Sequence, residues 1–167
     1  MNFAHLHLVL NHIPVIGIPI AVVFLAYGLY TNNRSMHQFS LIVLSAIALV
    51  ILPVYLTGEP AEEAVEHLPG VMNRLIEDHE EAAEFAMVIT LLTGGLAFLT
   101  FWFRNQASKL PIMSFIVLAF STISMGCLVY TANLGGKIRH SEIRSNVEAT
   151  PGEPMNLYQE SEEVTDD

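Results

Sequence analysis

Four long apolar runs without an internal charge constrain the fold of this chain more than any other feature. They cover roughly residues 13–30, 39–56, 85–103 and 111–134. Each is long enough for a helix to cross the hydrocarbon core of a bilayer, which takes about 20 residues. None shows the residue-by-residue alternation of a transmembrane strand. Only 14% of the chain is charged, whereas soluble domains carry about 25%. We therefore predict an all-α, integral membrane four-helix bundle.

The predicted organisation is a transmembrane domain over residues 1–140 and an acidic, flexible tail over residues 141–167. The four helices are expected at about 8–30, 38–57, 73–103 and 111–134. The loop over residues 58–72 is expected to contain a short extra helix, because Pro60 suits a first helical turn and Leu68-Pro69-Gly70 ends one. The tail has too little apolar surface to fold alone.

The short loops between the helices indicate the orientation. Arg34 lies between helices 1 and 2, Arg104 and Lys109 lie between helices 3 and 4, and neither loop contains an acid. Short basic loops are typically cytoplasmic. All seventeen carboxylates fall on the opposite side, nine of them between Glu59 and Glu84 and eight between Glu142 and Asp167. We predict an N-out, C-out protein of the bacterial inner membrane.

Six of the seven histidines lie on the predicted outer, periplasmic side. His5, His7 and His12 are at the start of helix 1, His67 is in the outer loop, His79 enters helix 3, and His140 follows helix 4. A single histidine at a membrane interface is usually incidental, and we assign His37 and His5 that way. Six on one side, delivered by several helices, predict a cofactor or metal site, because ionisable groups facing a bundle interior are usually functional.

Neutral imidazole binds zinc, copper, iron and haem iron, so the surrounding residues must discriminate among them. Glu-x-x-His pairs and a His-Glu-x-x-His motif are absent, which disfavours di-iron and metalloprotease sites. The only cysteine, Cys127, lies in the middle of helix 4, which disfavours structural zinc. No nucleophile with a base and an orienting group is visible. Haem b needs only histidines on facing helices and a slot lined by small side chains.

The candidate ligands for haem or metal are His12, His79 and His140, followed by His7, with His67 and His5 in a second tier. Four good histidines could hold one or two haems. Ala83 continues the helical face of His79 and would help form the slot. Gly135 and Gly136 would let the backbone approach the ligand closely. Arg139 lies where haem propionates would emerge.

Several segments resemble a family of small four-helix bacterial membrane proteins whose first helix opens with His-Pro-x-x-Val-His-Phe-Pro. The matching segments are HLVLNHIP at 7–14, TGEPAEEAVEH after helix 2, DHEEAAEFA entering helix 3 and TANLGGKIRH closing helix 4. Leu8 and Ile13 depart from the first motif, and Asn133 stands where the family commonly has histidine. The resemblance implies a role for His7, His12, His79 and the closing glycines, and an association with haem and cytochromes.

Our leading hypothesis is a b-type haem electron-transfer subunit of a respiratory or periplasmic redox assembly, with bis-histidine ligation near the outer face. Its partners would be the lipid bilayer, other membrane subunits or a periplasmic cytochrome, and quinol, but no nucleic acid. Two alternatives stay open at this point: a histidine-based copper, zinc or iron binding protein, and an accessory structural subunit without a cofactor. An electron-transfer subunit fits better than a stand-alone enzyme.

Overall fold

The computed structural model describes residues 2–105, 110–140 and 143–144, and this part of the chain is all-helical. Its elements are α1 (Phe3–Tyr30), α2 (Arg34–Leu56), α3 (Gly58–Glu63), α4 (Asn73–Trp102) and α5 (Leu110–Arg139). All but α3 are long and apolar enough to cross a membrane. The predicted all-α class with four membrane-length helices is therefore confirmed. The predicted acidic tail lies outside the described residues, apart from residues 143–144.

The four long helices form a ring in chain order. Helix α1 packs on α2, α2 on α4, α4 on α5, and α5 returns to α1 through a smaller contact. Helices α1 and α4 therefore stand at opposite corners of the bundle. The short α3 packs mainly against α1, at the end of the bundle where α2 ends and α4 begins. We call this the histidine end, because His7 and His79 both lie there.

Two helix boundaries at the histidine end differ from the sequence expectation, and at the other end α2 begins at Arg34 rather than near residue 38. Helix α1 begins at Phe3 rather than near residue 8, because the Asn2 side chain accepts a hydrogen bond from His5 N at 2.9 Å and caps the helix. Helix α5 continues through Gly135 and Gly136 to Arg139 instead of ending at the glycine pair. Both extensions add helical turns beside the histidines.

Each of the five buried residues of α1 has a buried counterpart in α4 at one constant spacing along the chain, and six of the eight buried residues of α2 have buried counterparts in α5 at a second constant spacing. The first set of pairs is Pro14 and Ala86, Ile18 and Thr90, Ala21 and Thr93, Leu25 and Ala97, and Gly28 and Thr100. The second set is His37 and Ser114, Ser40 and Val117, Leu44 and Ser121, Ile47 and Ser124, Ile51 and Leu128, and Val54 and Thr131. The α1–α2 and α4–α5 hairpins therefore bury equivalent faces and are related by an approximate two-fold axis along the bundle.

The two hairpins differ in the chemistry of these equivalent faces. Thr90 and Ser124 are buried and form a hydroxyl–hydroxyl hydrogen bond of 2.8 Å between α4 and α5. Their counterparts in the first hairpin are Ile18 and Ile47. Interhelical hydrogen bonds stabilise helix pairs inside a membrane, where lipid is as apolar as the side chains. The second hairpin is therefore held partly by polar contacts, and the first by apolar packing.

Neighbouring glycines on α4 provide a matched test of this packing. A Cβ at Gly94 would overlap the Cβ of Ala48 and lie 3.1 Å from the Leu44 carbonyl oxygen, whereas a Cβ at Gly95 would meet nothing within 4 Å. We expect Gly94→Ala to lower the free energy of unfolding by about 1–3 kcal/mol, because α2 and α4 must separate. Gly95→Ala should be neutral or slightly stabilising. Thermal unfolding in mild detergent measures both, and equal stability of the two variants would contradict the close α2–α4 contact.

Candidate paired-histidine site

The His7 side chain reaches from α1 to the end of α2. Its Nδ1 lies 3.1 Å from the Val54 carbonyl oxygen and 3.2 Å from Thr57 Oγ1. A carbonyl oxygen only accepts hydrogen bonds, so Nδ1 carries the proton and donates it. In the neutral ring, Nε2 then keeps its lone pair. The contact therefore fixes both the orientation of the ring and its tautomer.

His79 makes the equivalent contact in the second hairpin. Its Nδ1 lies 3.0 Å from the Thr131 carbonyl oxygen of α5. The same reasoning places the proton on Nδ1 and the lone pair on Nε2. His7 and His79 are also separated by the same number of residues as the equivalent buried positions of α1 and α4. The two rings are thus equivalent under the approximate two-fold relation, and each is anchored on the second helix of its own hairpin.

A glycine lies under each ring. A Cβ at Gly135 would be 3.0 Å from Cε1 of His79, and a Cβ at Gly58 would be 3.9 Å from Cε1 of His7. Each glycine follows the accepting residue, Val54 or Thr131, by four positions. A side chain at Gly135 would require the His79 ring to shift by a few tenths of an ångström, whereas the distance at Gly58 is ordinary packing. Each half-site is therefore a histidine, a backbone carbonyl and a glycine.

The two Nε2 atoms are available to a ligand. The structure gives neither atom a hydrogen-bond partner among residues 2–105, 110–140 and 143–144. In the same residues no side-chain nitrogen or oxygen is both fully buried and unpartnered, so neither Nε2 atom is fully buried. Both rings lie at the histidine end of the bundle, His7 on α1 and His79 on α4. The arrangement offers two neutral imidazole nitrogens to one region.

The other candidate histidines lie on the surface. His12 is exposed on α1 and its Nδ1 bonds to the Leu8 carbonyl oxygen of its own helix. His5 is exposed, and the exposed His67 lies 3.2 Å from Glu66. His140 is exposed at the end of α5, next to the exposed Arg139. Of the predicted residues, the structure places His7 and His79 at the same end of the bundle and brings Gly135 against the His79 ring.

Two predicted small residues have different surroundings. Ala83 is partly buried one turn along α4 from His79, in agreement with its expected face. Gly136 instead lies near the Ile143 side chain, and a Cβ there would be 3.4 Å from Ile143 Cδ1. Gly135 therefore makes the close contact with a histidine, and Gly136 packs against the segment that follows α5.

His37, which we expect to be incidental at an interface, is buried instead. Its Nε2 lies 2.8 Å from Ser114 Oγ, which joins α2 to α5 at the end of the bundle away from His7 and His79. Residues 37 and 114 are counterparts under the two-fold relation, so this bond crosses the axis. His37 is thus a hydrogen-bonded core residue and not part of the paired-histidine site.

Four residues that support the two rings were not predicted from the sequence. Val54 and Thr57 lie at the end of α2, Gly58 begins α3, and Thr131 is in α5. The sequence contained a signal for these residues. TG at 57–58 and LG at 134–135 occupy equivalent positions at the ends of the second and fourth apolar runs. Comparing the two halves of the chain with each other would have revealed it.

Glu62 lies on α3, among several other acids at the histidine end. Its pKa is raised above the ordinary value, first by partial burial and then by the negative charges of Glu80, Glu66, Glu59 and Glu77. A raised pKa means that the folded protein binds this proton more tightly than the unfolded chain does. The resulting stability is complete below the ordinary carboxyl pKa and is lost as the pH rises through the raised value. At neutral pH the ionised Glu62 therefore destabilises the fold.

We accordingly expect Glu62→Gln to raise the thermal unfolding temperature at pH 7, because it removes a crowded charge. The gain should shrink as the pH falls toward the ordinary pKa of a carboxyl, where the native side chain is protonated. Glu63→Gln, at the exposed neighbouring position, is the control and should change the temperature less. A Glu62→Gln gain that persists unchanged at acidic pH would contradict the electrostatic explanation.

Comparison with known proteins adds a family but no function. No curated protein and no solved structure matches the chain. A family model described as "Predicted membrane protein (DUF2231)" matches residues 4–143, which include both half-sites. This match covers most of the chain and agrees with the four membrane-length helices. The chain therefore belongs to the DUF2231 family of predicted membrane proteins.

Proposed function

We propose that this protein is a membrane-bound b-type haem electron-transfer subunit in which His7 and His79 would hold the haem. One observation carries the proposal: two imidazoles on opposite helices each donate Nδ1–H to a backbone carbonyl and keep an Nε2 that is not fully buried. Histidines that bind metals almost always donate their other ring N–H in this way, which fixes the tautomer and strengthens the ligand. The donor chemistry of this pair fits an axial haem pair.

The number of ligands favours haem over a lone metal ion. Zinc and copper sites in proteins usually take three or four protein ligands. In the part of the chain that the structure describes, no group of three or more His, Cys, Asp or Glu side chains is placed to hold an ion. A haem supplies four nitrogens itself and needs only two more. A pair of imidazoles is therefore enough for haem and too few for a typical zinc or copper site.

The roles of the residues follow from this assignment. His7 and His79 hold the group from opposite corners, Val54 and Thr131 orient their rings, and the small Ala83 and Gly135 keep bulk away from His79. When bound, six-coordinate haem supplies one-electron transfer without an open position at iron for oxygen chemistry. This favours an electron carrier over an oxygen-activating enzyme.

We further propose that the histidine end faces the periplasm of a bacterial inner membrane, with both termini outside. Support comes from the basic, acid-free loops at the opposite end, which contain Arg34 and Arg104. The acids around α3 and the start of α4 would attract a basic periplasmic cytochrome by long-range steering. Quinol in the bilayer is a second candidate electron donor or acceptor.

The first test is spectroscopic. The protein purified in mild detergent from haem-replete cells should be red, and dithionite should give the sharp alpha band of six-coordinate haem b. His7→Ala and His79→Ala should each give a high-spin spectrum or lose haem, because each removes one axial ligand. The matched control is His12→Ala, which removes an exposed histidine from the same helix as His7 and should leave the spectrum unchanged.

Three results would contradict the haem proposal or its ligand assignment. One is a colourless protein that contains stoichiometric zinc or copper, which would favour the metal-binding alternative. The second is a haem spectrum that survives His7→Ala and His79→Ala but is lost in His12→Ala. The third is a colourless protein without metal, which would favour the accessory-subunit alternative.

The second test concerns orientation. An alkaline phosphatase reporter inserted at Gly70, in the exposed segment after α3, should be active because this enzyme matures only after export. A reporter inserted at Asn32, in the α1–α2 turn, should be inactive. The reverse pattern would place the histidine end in the cytoplasm and exclude a periplasmic partner.

A further inference from the structure

The two half-sites differ in the number of acceptors that each ring has. His7 Nδ1 lies near two oxygens, the Val54 carbonyl at 3.1 Å and Thr57 Oγ1 at 3.2 Å. His79 Nδ1 has one acceptor in the described structure, the Thr131 carbonyl at 3.0 Å. Leu134 is the counterpart of Thr57, because the two are separated by the same spacing as the equivalent residues of α2 and α5. The Leu134 side chain cannot accept a hydrogen bond. The approximate two-fold relation is therefore broken at this pair.

The Thr57 hydroxyl is held in place to accept from His7. Thr57 is the C-cap residue of α2, and its Oγ1 lies 2.9 Å from the Pro53 carbonyl oxygen and 2.8 Å from the Val54 carbonyl oxygen. The hydroxyl proton is donated to one of these carbonyls, which leaves the oxygen lone pairs for the His7 N–H. Val54 is in the last turn of α2, where carbonyls have no donor within the helix. Thr131 is inside α5, so its carbonyl also serves that helix.

We propose that Thr57 is a positioning residue that makes the two imidazoles unequal ligands. By sharing the Nδ1 proton of His7 with Val54, it fixes this ring more firmly and makes its Nε2 the stronger electron donor. The ligand role of His7 rests on the function proposed above, whereas the hydrogen bond itself does not. The protein would thus present one strengthened and one ordinary imidazole to the same group.

The chain offers a closely matched control. Thr31 is the C-cap residue of α1, and its Oγ1 donates to the Tyr27 carbonyl oxygen at 2.8 Å, as Thr57 does to Pro53. Among the described residues, no hydrogen bond joins a histidine ring to Thr31. Thr31→Val and Thr57→Val therefore remove the same kind of helix cap, and only Thr57→Val removes an acceptor from a histidine. Thr57→Ser keeps the hydroxyl and should behave like the wild type.

The first measurement does not depend on haem. In ¹⁵N-histidine-labelled protein reduced with dithionite, NMR follows exchange of each Nδ1 proton with water. We expect the His7 proton to exchange several-fold faster in Thr57→Val, with His79 as the unchanged internal reference. Thr57→Ser and Thr31→Val should match the wild type. Thr57→Ala provides the same comparison if valine disturbs the end of α2. Unchanged His7 exchange in both Thr57→Val and Thr57→Ala would overturn the inference.

The second measurement uses the haem-loaded protein. Thr57→Val should weaken haem retention by about 10- to 100-fold, the usual effect of losing a hydrogen bond behind a metal ligand. Its reduction midpoint potential should rise, because a weaker donor stabilises ferric iron less. Equal changes in haem retention and midpoint potential in Thr31→Val would overturn the role of Thr57. Absence of haem from the wild type would overturn the proposed function instead, and the exchange measurement would still decide the role of Thr57.

Discussion

The hydrogen bond from each imidazole Nδ1 to a backbone carbonyl of the next helix is the interaction on which the candidate site depends. It holds His7 on the end of α2 and His79 on α5, so each ring is fixed within its own hairpin. It also determines which nitrogen has the lone pair. The chemistry that the two rings can offer therefore depends on where α2 ends and on how far α5 extends.

The approximate two-fold relation explains how two separate hairpins form one site. Equivalent buried faces bring the hairpins together along a common axis, and equivalent histidines then lie at the same end of that axis. The buried cores of the two hairpins nevertheless differ, because Thr90 and Ser124 occupy the positions equivalent to Ile18 and Ile47. Since apolar side chains gain little by leaving lipid, hydroxyl pairs and close glycine contacts such as Gly94 contribute strongly to helix pairing. The second hairpin is the more polar of the two.

The sequence predicted the large-scale fold well, because a charge-free run of about 20 residues has few alternatives to a membrane helix. It also located His79 with Ala83 on one helical face. The ranking of the α1 histidines was less successful, because the helix was expected to start near residue 8. Once Asn2 caps α1, His7 falls on the buried face with Pro14 and Ile18, and His12 falls on the exposed face. Contacts between distant segments, such as His7 with Thr57, leave no local pattern in the sequence.

The central claim is that His7 and His79 bind one haem iron together. Electron–nuclear double resonance on the oxidised protein, labelled with ¹⁵N at histidine only, counts the histidine nitrogens that are directly bound to iron. We expect two strongly coupled ¹⁵N nuclei in the wild type, and one in His79→Ala protein that still retains haem. A single coupled histidine in the wild type, or two that persist in both His7→Ala and His79→Ala, would contradict this claim.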